Sequence, residues 1–161
     1  MNEESGNNAT NVKRKSDREV VVTRTFNAPA RLVFEAWTKP DLFKLWWTPK
    51  SFNMTILSCE MDVRVGGGYH LVIAHPASEK PMDFFGKYLE VAPVSRIVWT
   101  NEEAGDQGAV TTVTFEDCGA ETLVVLTDLY PSKEALDEAI KSGSTSGYPE
   151  QFKQLDKFLA A

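Results

Sequence analysis

The residues that could carry metal or nucleophilic chemistry are few in this chain. His70 and His75 are the only histidines, and their spacing along a strand turns the two side chains to opposite faces of the sheet. The chain has no Cys-x-x-Cys and no His-Glu-x-x-His, which are spacings typical of zinc sites. The sequence therefore predicts no metal site, no cofactor and no histidine-based catalysis.

Three successive glycines, Gly66–Gly68, could suggest a loop that binds phosphate. No lysine follows them and they do not open a helix, so the amides of a nucleotide site would be missing. They lie between two runs that alternate like strands, which indicates a hairpin turn. Asp62 and Arg64 share a strand face by spacing, and we expect them to form a surface ion pair beside this turn.

Composition limits the classes of protein that the chain can represent. With 161 residues, 42% apolar and 25% charged, it is predicted to be globular. A formal net charge of -6 argues against nucleic-acid binding, which needs a basic surface. No apolar stretch has the length of a membrane span or the features of a signal peptide, which favours a cytoplasmic protein without membrane insertion. Cys59 and Cys118 are therefore predicted to be free thiols.

Hydrophobic periodicity predicts the elements that would position a site. Residues 1–17 are polar and predict a disordered tail, ahead of a single domain over residues 18–161. Alternating β-branched and aromatic residues predict seven strands, separated by Gly and Pro turn signals, at about 19–27, 52–62, 68–75, 82–91, 95–102, 109–117 and 121–130. Strands without intervening helices indicate an antiparallel sheet.

Helical spacing predicts two short helices after the first strand, at residues 31–37 and 41–47, and a further helix at 134–141. A long C-terminal helix is predicted from one apolar stripe: Tyr148, Phe152, Leu155 and Leu159. A sheet of seven antiparallel strands twists and curls, and its concave face is the available partner for that stripe. The predicted fold class is α+β, with a curved seven-stranded antiparallel sheet around a long C-terminal helix.

Several short motifs along the chain occur in an order that matches a known superfamily. They are Arg24-Thr25-Phe26-Asn27-Ala28-Pro29-Ala30, Val33-Phe34-Glu35-Ala36-Trp37, Trp46-Trp47, Asp62-Val63-Arg64-Val65-Gly66-Gly67, Ile97-Val98-Trp99-Thr100 and Gly147-Tyr148. With them, residues 18–160 resemble the helix-grip superfamily of START domains, the birch-pollen-allergen fold and polyketide cyclases. Within it, the chain is similar to the activator of heat-shock-protein-90 ATPase homologues. The resemblance implies a helix-grip fold with an internal hydrophobic cavity.

Strand alternation and the resemblance together predict the residues that line this cavity and bind a ligand. They are Val33, Trp37, Trp46, Tyr69, Leu71, Ile73, Tyr88, Trp99, Asn101, Phe115, Leu126, Asp128, Tyr148, Phe152 and Leu155. The alternative is that they fill a dry core. Asn101 and Tyr148 stand where the family usually has tryptophan, so the resemblance implies a ligand that differs from that of relatives.

Polar residues in the predicted cavity would set its specificity, and Asp128 is the one that could also do chemistry. If it is buried without a partner, its pKa is raised and it could act as a general acid or base. The sequence favours the other interpretation, in which Asp128 is exposed or paired near the end of its strand. No residue is therefore assigned a catalytic role.

Three functions remain open from the sequence. The first is a binding module for a small apolar or amphipathic molecule that is lipid-, sterol- or polyketide-like. The second, implied by the family name, is a co-chaperone-like regulator of a heat-shock chaperone ATPase. In such co-chaperones a preceding domain makes much of the chaperone contact, and here we expect only the short tail before the first strand. The third is a cyclase- or hydrolase-type enzyme that uses the same cavity.

Overall fold

The computed structural model describes residues 9–143 and 145–160, which form one antiparallel sheet and four helices. The strands are β1 (Asn11–Arg14), β2 (Glu19–Phe26), β3 (Thr55–Met61), β4 (Gly68–Ala74), β5 (Met82–Ala92), β6 (Arg96–Thr100), β7 (Val110–Asp117) and β8 (Thr122–Leu129). The helices are α1 (Ala30–Thr38), α2 (Pro40–Phe43), α3 (Lys133–Ser142) and α4 (Tyr148–Ala160). The strand order is β1-β2-β8-β7-β6-β5-β4-β3.

The prediction of seven strands is wrong by one, because β1 forms within the segment predicted as a disordered tail. It pairs with β2 in antiparallel register, with Asn11 opposite Thr23 and Arg14 opposite Val20. All four β1 residues are exposed, so the strand has no apolar alternation that a sequence pattern could reveal. Backbone pairing with β2 holds this strand in place, together with an ion pair of 2.7 Å from Arg14 Nη2 to Asp137 Oδ1 of α3. Residues 1–8 of the predicted tail lie outside the described residues.

The helices after β2 also differ from the prediction. The helix predicted at 41–47 is reduced to α2, which has Pro40 at its first turn and ends at Phe43. Residues 50–52 form a 3-10 turn, so β3 begins at Thr55 rather than at the predicted residue 52. Pro40 is tolerated in the first turn of α2, and Pro49 disfavours helical geometry only at Thr48, so neither proline accounts for the end of the helix at Phe43.

Gly143 ends α3 and separates it from α4. Its φ of 85° is left-handed, which is a backbone region that glycine occupies without a steric cost. At the other end of α3, the Ser132 side chain accepts a hydrogen bond of 3.0 Å from the Ala135 amide and caps the helix. The glycine therefore breaks the helical segment into two helices that pack in different places.

The core lies between the inner face of the sheet, α1 and α4. On β2 the inward positions are Val20, Val22, Arg24 and Phe26, all buried. Phe152 of α4 is completely buried, with its ring centroid 5.7 Å from that of Phe26. Arg24 anchors the same helix through an ion pair of 3.2 Å from Nη2 to Asp156 Oδ2. Within the described residues, no helix is long and apolar enough to cross a membrane.

A cavity between the sheet and the last two helices

A cavity of about 710 Å³ lies between the sheet, α3 and the beginning of α4. Leu71 and Ile73 of β4 and Tyr130 just after β8 line the same space, although their strands are far apart in the sheet order. The sheet must therefore curve around this space. The segment between α2 and β3 and the turn before β7 complete the walls.

The structure brings nine of the predicted site residues together on the cavity wall: Trp37, Tyr69, Leu71, Ile73, Tyr88, Trp99, Asn101, Asp128 and Tyr148. The other six lie in the packed core and do not line it: Val33, Trp46, Phe115, Leu126, Phe152 and Leu155. These six residues fill the packed core, which was the alternative to a ligand-binding role. Phe115 on β7 and Leu126 on β8 point inward as predicted, whereas the other four lie on α1, on α4 or just after α2.

A polar network lies on one wall of the cavity and is centred on Asp128. Thr111 Oγ1 donates a hydrogen bond of 2.6 Å to Asp128 Oδ1, and Tyr148 Oη donates to Asp128 Oδ2. Asn101 Nδ2 in turn donates to Thr111 Oγ1 over 2.9 Å. Asp128 is only 4% exposed, so it is not the solvent-exposed carboxylate that the sequence allowed. It is buried and has hydrogen-bond partners, which matches the interpretation of a paired carboxylate.

Burial controls the ionisation of this network. Loss of hydration raises the pKa of Asp128 above its usual range, although the hydrogen bonds from Thr111 and Tyr148 act in the opposite direction. Burial also raises the pKa of Tyr148, and the neighbouring Asp128 charge raises it further. Tyr148 is therefore a neutral hydrogen-bond donor, and the pair can hold or release a proton at the Asp128 carboxyl.

Two further tyrosines project from neighbouring strands onto the cavity wall. Tyr69 Oη donates to the backbone oxygen of Thr100 over 2.8 Å and lies 3.3 Å from Asn101 Oδ1. The rings of Tyr69 and Tyr88 are 5.9 Å apart. Burial raises the pKa of both phenols, so both remain neutral. This wall thus offers hydroxyl and amide groups without a fixed cation.

Three indoles make part of the cavity wall aromatic. The Trp37 ring centroid lies 6.0 Å from those of both Trp47 and Trp99, and all three indoles line the cavity. Trp46 lies behind them, where its Nε1 donates a hydrogen bond of 3.0 Å to the Ala36 backbone oxygen. Trp37 Nε1 is also buried, yet no acceptor for it exists among the described residues. Buried indole N–H groups usually have a partner, so this enclosed donor is an exception among the described residues.

Helix α4 holds the segment between α2 and β3 in place with three polar side chains. Gln154 Nε2 donates to the backbone oxygens of Trp46 and Thr48, both over 2.9 Å, and Gln154 Oε1 accepts from the Lys50 amide. Gln151 donates to the Trp47 oxygen, and Glu150 accepts from Ser51. The hydrogen bonds from Ser51 lower the pKa of Glu150. These contacts position Trp47 and the rest of this segment over the cavity.

Sequence reasoning missed several residues of this site. Thr111 follows the same alternation as Val113 and Phe115 on β7, and Tyr130 lies two residues after Asp128, so strand parity could have found both. Trp47, Gln151 and the α3 residues had no such signal, because the conformation of the loop and the helix position decide where they lie.

Outside the cavity, the remaining candidates for chemistry lie apart from one another. His70 Nε2 lies 3.2 Å from Asp83 Oδ1 on the exposed face of the sheet. Asp62 and Arg64 form the expected ion pair, at 2.9 Å, beside Gly66, whose φ of 87° permits the turn. Within the part of the chain that the structure describes, no cluster of three or more His, Cys, Asp and Glu side chains could hold a metal ion.

Comparison with known proteins identifies the fold family. Residues 27–160 match the family model described as Activator of Hsp90 ATPase homolog 1-like protein. The chain belongs to this family. A search of curated proteins gave no significant match. The resemblance found in the sequence motifs is thereby confirmed.

Solved structures share the fold of this family member. A crystal structure from Nitrosomonas europaea is 21% identical with a TM-score of 0.81, covering 91% of this chain and 97% of that chain. One from Chromobacterium violaceum is 26% identical with a TM-score of 0.73, covering 89% and 98%. CalU16 from Micromonospora echinospora is 19% identical with a TM-score of 0.63, covering 94% and 83%. The α+β helix-grip class predicted from sequence is confirmed.

Proposed function

We propose that this family member binds a small apolar or amphipathic molecule in its cavity, without catalysing a reaction. The observation that carries the proposal is the cavity of about 710 Å³ beside the buried core. Ligand pockets typically measure roughly 300–1,000 Å³. The volume thus suits a molecule of lipid-fragment, sterol-fragment or polyketide size.

The chemistry of the walls supports the same proposal. Aromatic and aliphatic side chains dominate the lining, and burying a ligand against them gives about 25 cal/mol per Å² of apolar surface. A few polar side chains line this apolar space, chiefly Asn101, Tyr69 and the hydrogen-bonded pair of Asp128 and Tyr148. An apolar pocket with a small number of placed polar groups is the usual pattern of a specific small-molecule site.

The test is native mass spectrometry of protein purified gently from its own host, followed by organic extraction. We expect a bound species at a reproducible mass. The same protein should bind the neutral fluorescent probe N-phenyl-1-naphthylamine and show a probe-dependent rise in melting temperature, because a ligand that binds only the native state stabilises it. Wild-type protein that carries no small molecule and also fails to bind the probe would contradict the proposal.

A matched pair of variants on α3 controls for effects on stability. Ala139 lines the cavity, so Ala139→Phe places a ring into the proposed binding space. Ile140 is 41% exposed and does not line it, so Ile140→Phe introduces the same ring at the neighbouring position. We expect Ala139→Phe to lose the bound mass and most probe binding, and Ile140→Phe to retain both. Equal retention by both variants would place the ligand elsewhere.

A second candidate function is catalysis, favoured by one observation. Asp128 and Tyr148 line the cavity as a hydrogen-bonded pair, and both have raised pKa values, a feature common in active sites. In this case Asp128→Asn should abolish conversion of the extracted molecule while leaving the fold and its binding intact. If wild-type protein returns the extracted molecule unchanged after prolonged incubation, the enzyme candidate is rejected and the binding proposal stands.

The co-chaperone alternative rests on the family description, and no specific contact surface supports it here. Its test is the steady-state ATPase rate of a purified heat-shock chaperone with and without this protein. Stimulation that survives Ala139→Phe would mean that the chaperone contact does not need the cavity.

A further inference from the structure

All four charged side chains on the cavity wall are acidic. They are Asp128 within the polar network, Glu103 in the turn after β6, and Glu134 and Glu138 on α3. Among the described lining residues there is no lysine, arginine or histidine. A cavity for a fatty acid or another anion needs a cation or a set of donors at its polar end, since burying an unpaired charge is costly. The charges here have the opposite sign.

The two α3 glutamates stand at the mouth of the cavity. They are one helical turn apart, which places both on the same face of the helix, and both are exposed. Within the described residues neither forms an ion pair. Lys133, on the same helix, pairs instead with Asp137, over 2.9 Å from Nζ to Oδ2. Glu134 and Glu138 therefore present free negative charge to whatever occupies the entrance.

The interior of the cavity is apolar and aromatic. The indoles of Trp37, Trp47 and Trp99 line it together with aliphatic side chains of β4. Burying an apolar body against these side chains is favourable, whereas burying a charged group away from water is costly. The lining therefore combines an apolar interior with acidic side chains at the entrance.

We infer that the preferred ligand is a cationic amphiphile: an apolar, aromatic or alicyclic body with a protonated amine that lies near Glu134 and Glu138. This inference rests on the proposed binding function and narrows its ligand class. The apolar body occupies the aromatic interior beside Trp37. The amine remains at the mouth, where it keeps part of its hydration and gains the attraction of the two carboxylates. An otherwise identical ligand with a carboxylate is repelled at the same place.

The experiment compares three naphthalene derivatives of matched size that end in an ammonium, a hydroxyl or a carboxylate group. Each displaces N-phenyl-1-naphthylamine from the wild-type protein in low-salt buffer at neutral pH. We expect the ammonium compound to bind about tenfold more tightly than the carboxylate compound, with the alcohol between them. The difference comes from the two carboxylates of Glu134 and Glu138, which attract the ammonium and repel the carboxylate through partly screening solvent. The preference should shrink as salt is added, because exposed charges are screened.

The variant Glu134→Gln/Glu138→Gln tests which residues produce the preference. It should reduce the ammonium-to-carboxylate ratio to about twofold or less while leaving the affinity of the alcohol unchanged. The matched control is Glu79→Gln/Glu116→Gln, which removes two exposed carboxylates away from the cavity and changes the net charge equally. The control should keep the wild-type ratio, since only nearby charges act strongly on the bound amine.

The outcomes separate this inference from the proposed function. If the alcohol binds but the ammonium and carboxylate compounds bind equally, the cavity is a binding site and the cationic preference is overturned. The same conclusion follows if the control variant loses the preference as fully as the α3 variant. If none of the three compounds displaces the probe, and the probe itself does not bind, the proposed function fails and this inference fails with it.

Discussion

Replacing Trp99 by alanine separates a residue of the cavity wall from one of the packed core. Trp99 lies on β6, is 9% exposed, and lines the cavity with its ring 6.0 Å from that of Trp37. Trp46 is the matched comparison, since it is 1% exposed and does not line the cavity. The two variants Trp99→Ala and Trp46→Ala remove the same atoms from opposite sides of the aromatic wall.

The expected stability costs differ because the two rings have different surroundings. Truncating a fully packed tryptophan costs about 3–5 kcal/mol. Trp46 packs against Trp37, Phe43 and Trp47 and bonds to the Ala36 oxygen, so its loss also leaves a buried acceptor unpaired, at about 1–3 kcal/mol. Trp99 already borders open space on one side and loses fewer contacts. We therefore expect about 2–3 kcal/mol for Trp99→Ala and at least about 4 kcal/mol for Trp46→Ala.

The assay combines urea unfolding, followed by far-ultraviolet circular dichroism, with titration of N-phenyl-1-naphthylamine. Losing one aromatic wall removes about 1.5–3 kcal/mol of apolar contact with the probe, which corresponds to roughly a tenfold or larger loss of affinity for Trp99→Ala. If Trp46→Ala still folds, it should bind the probe within about threefold of the wild type. Equal stability costs, combined with unchanged probe binding by Trp99→Ala, would refute the distinction between wall and core.

Two further predictions concern the polar residues around the cavity. Burial raises the pKa of Asp128, so the native protein keeps a proton that the unfolded chain loses near pH 4. Stability should therefore fall as the pH rises above about 4, at up to about 1.4 kcal/mol per pH unit, until Asp128 ionises in the native protein as well. Asp128→Asn should lessen this fall in urea unfolding, and an unchanged slope would contradict the assigned ionisation. Gln154→Ala should lower the free energy of unfolding by about 1–3 kcal/mol and speed hydrogen exchange of the Lys50 amide, because its hydrogen bonds to the segment between α2 and β3 are lost. Exchange as slow as in the wild type would show that Gln154 does not hold this segment in place.

Much of the fold could be predicted because periodicity is strong where a strand has one buried face. On β7 the inward residues alternate with polar ones, and the register pairs Val113 with Leu126 and Thr111 with Asp128 of β8. Both faces of β8 carry apolar residues, so there the family resemblance rather than alternation indicated the inward set. The first strand was missed because Asn11–Arg14 has four exposed residues and is held by backbone pairing, for which the sequence has no pattern. Local signals also overstated α2, which ends at Phe43 although no proline lies within the predicted helix at 41–47.

The site was less predictable than the fold for a physical reason. Alternation tells which residues point inward, but not whether the space they face is filled. Phe152 and Tyr148 lie one turn apart on α4, yet Phe152 packs against Phe26 while Tyr148 reaches Asp128 on the cavity wall. That difference depends on where α3 and α4 lie relative to the sheet, and therefore on long-range packing. The sequence alone could not show that the carboxylates of Glu134 and Glu138 line the cavity, because this depends on the position of α3.

The most direct test of the binding proposal uses the four indole N–H signals of the chain in a two-dimensional nitrogen–proton spectrum. Trp37, Trp47 and Trp99 line the cavity, whereas Trp46 is behind it with its N–H bonded to Ala36. On titration with N-phenyl-1-naphthylamine, the proposal predicts large, saturable shifts for the three lining indoles and a small shift for Trp46. Four unmoved signals, or a largest shift at Trp46, would contradict a ligand-binding cavity at this place.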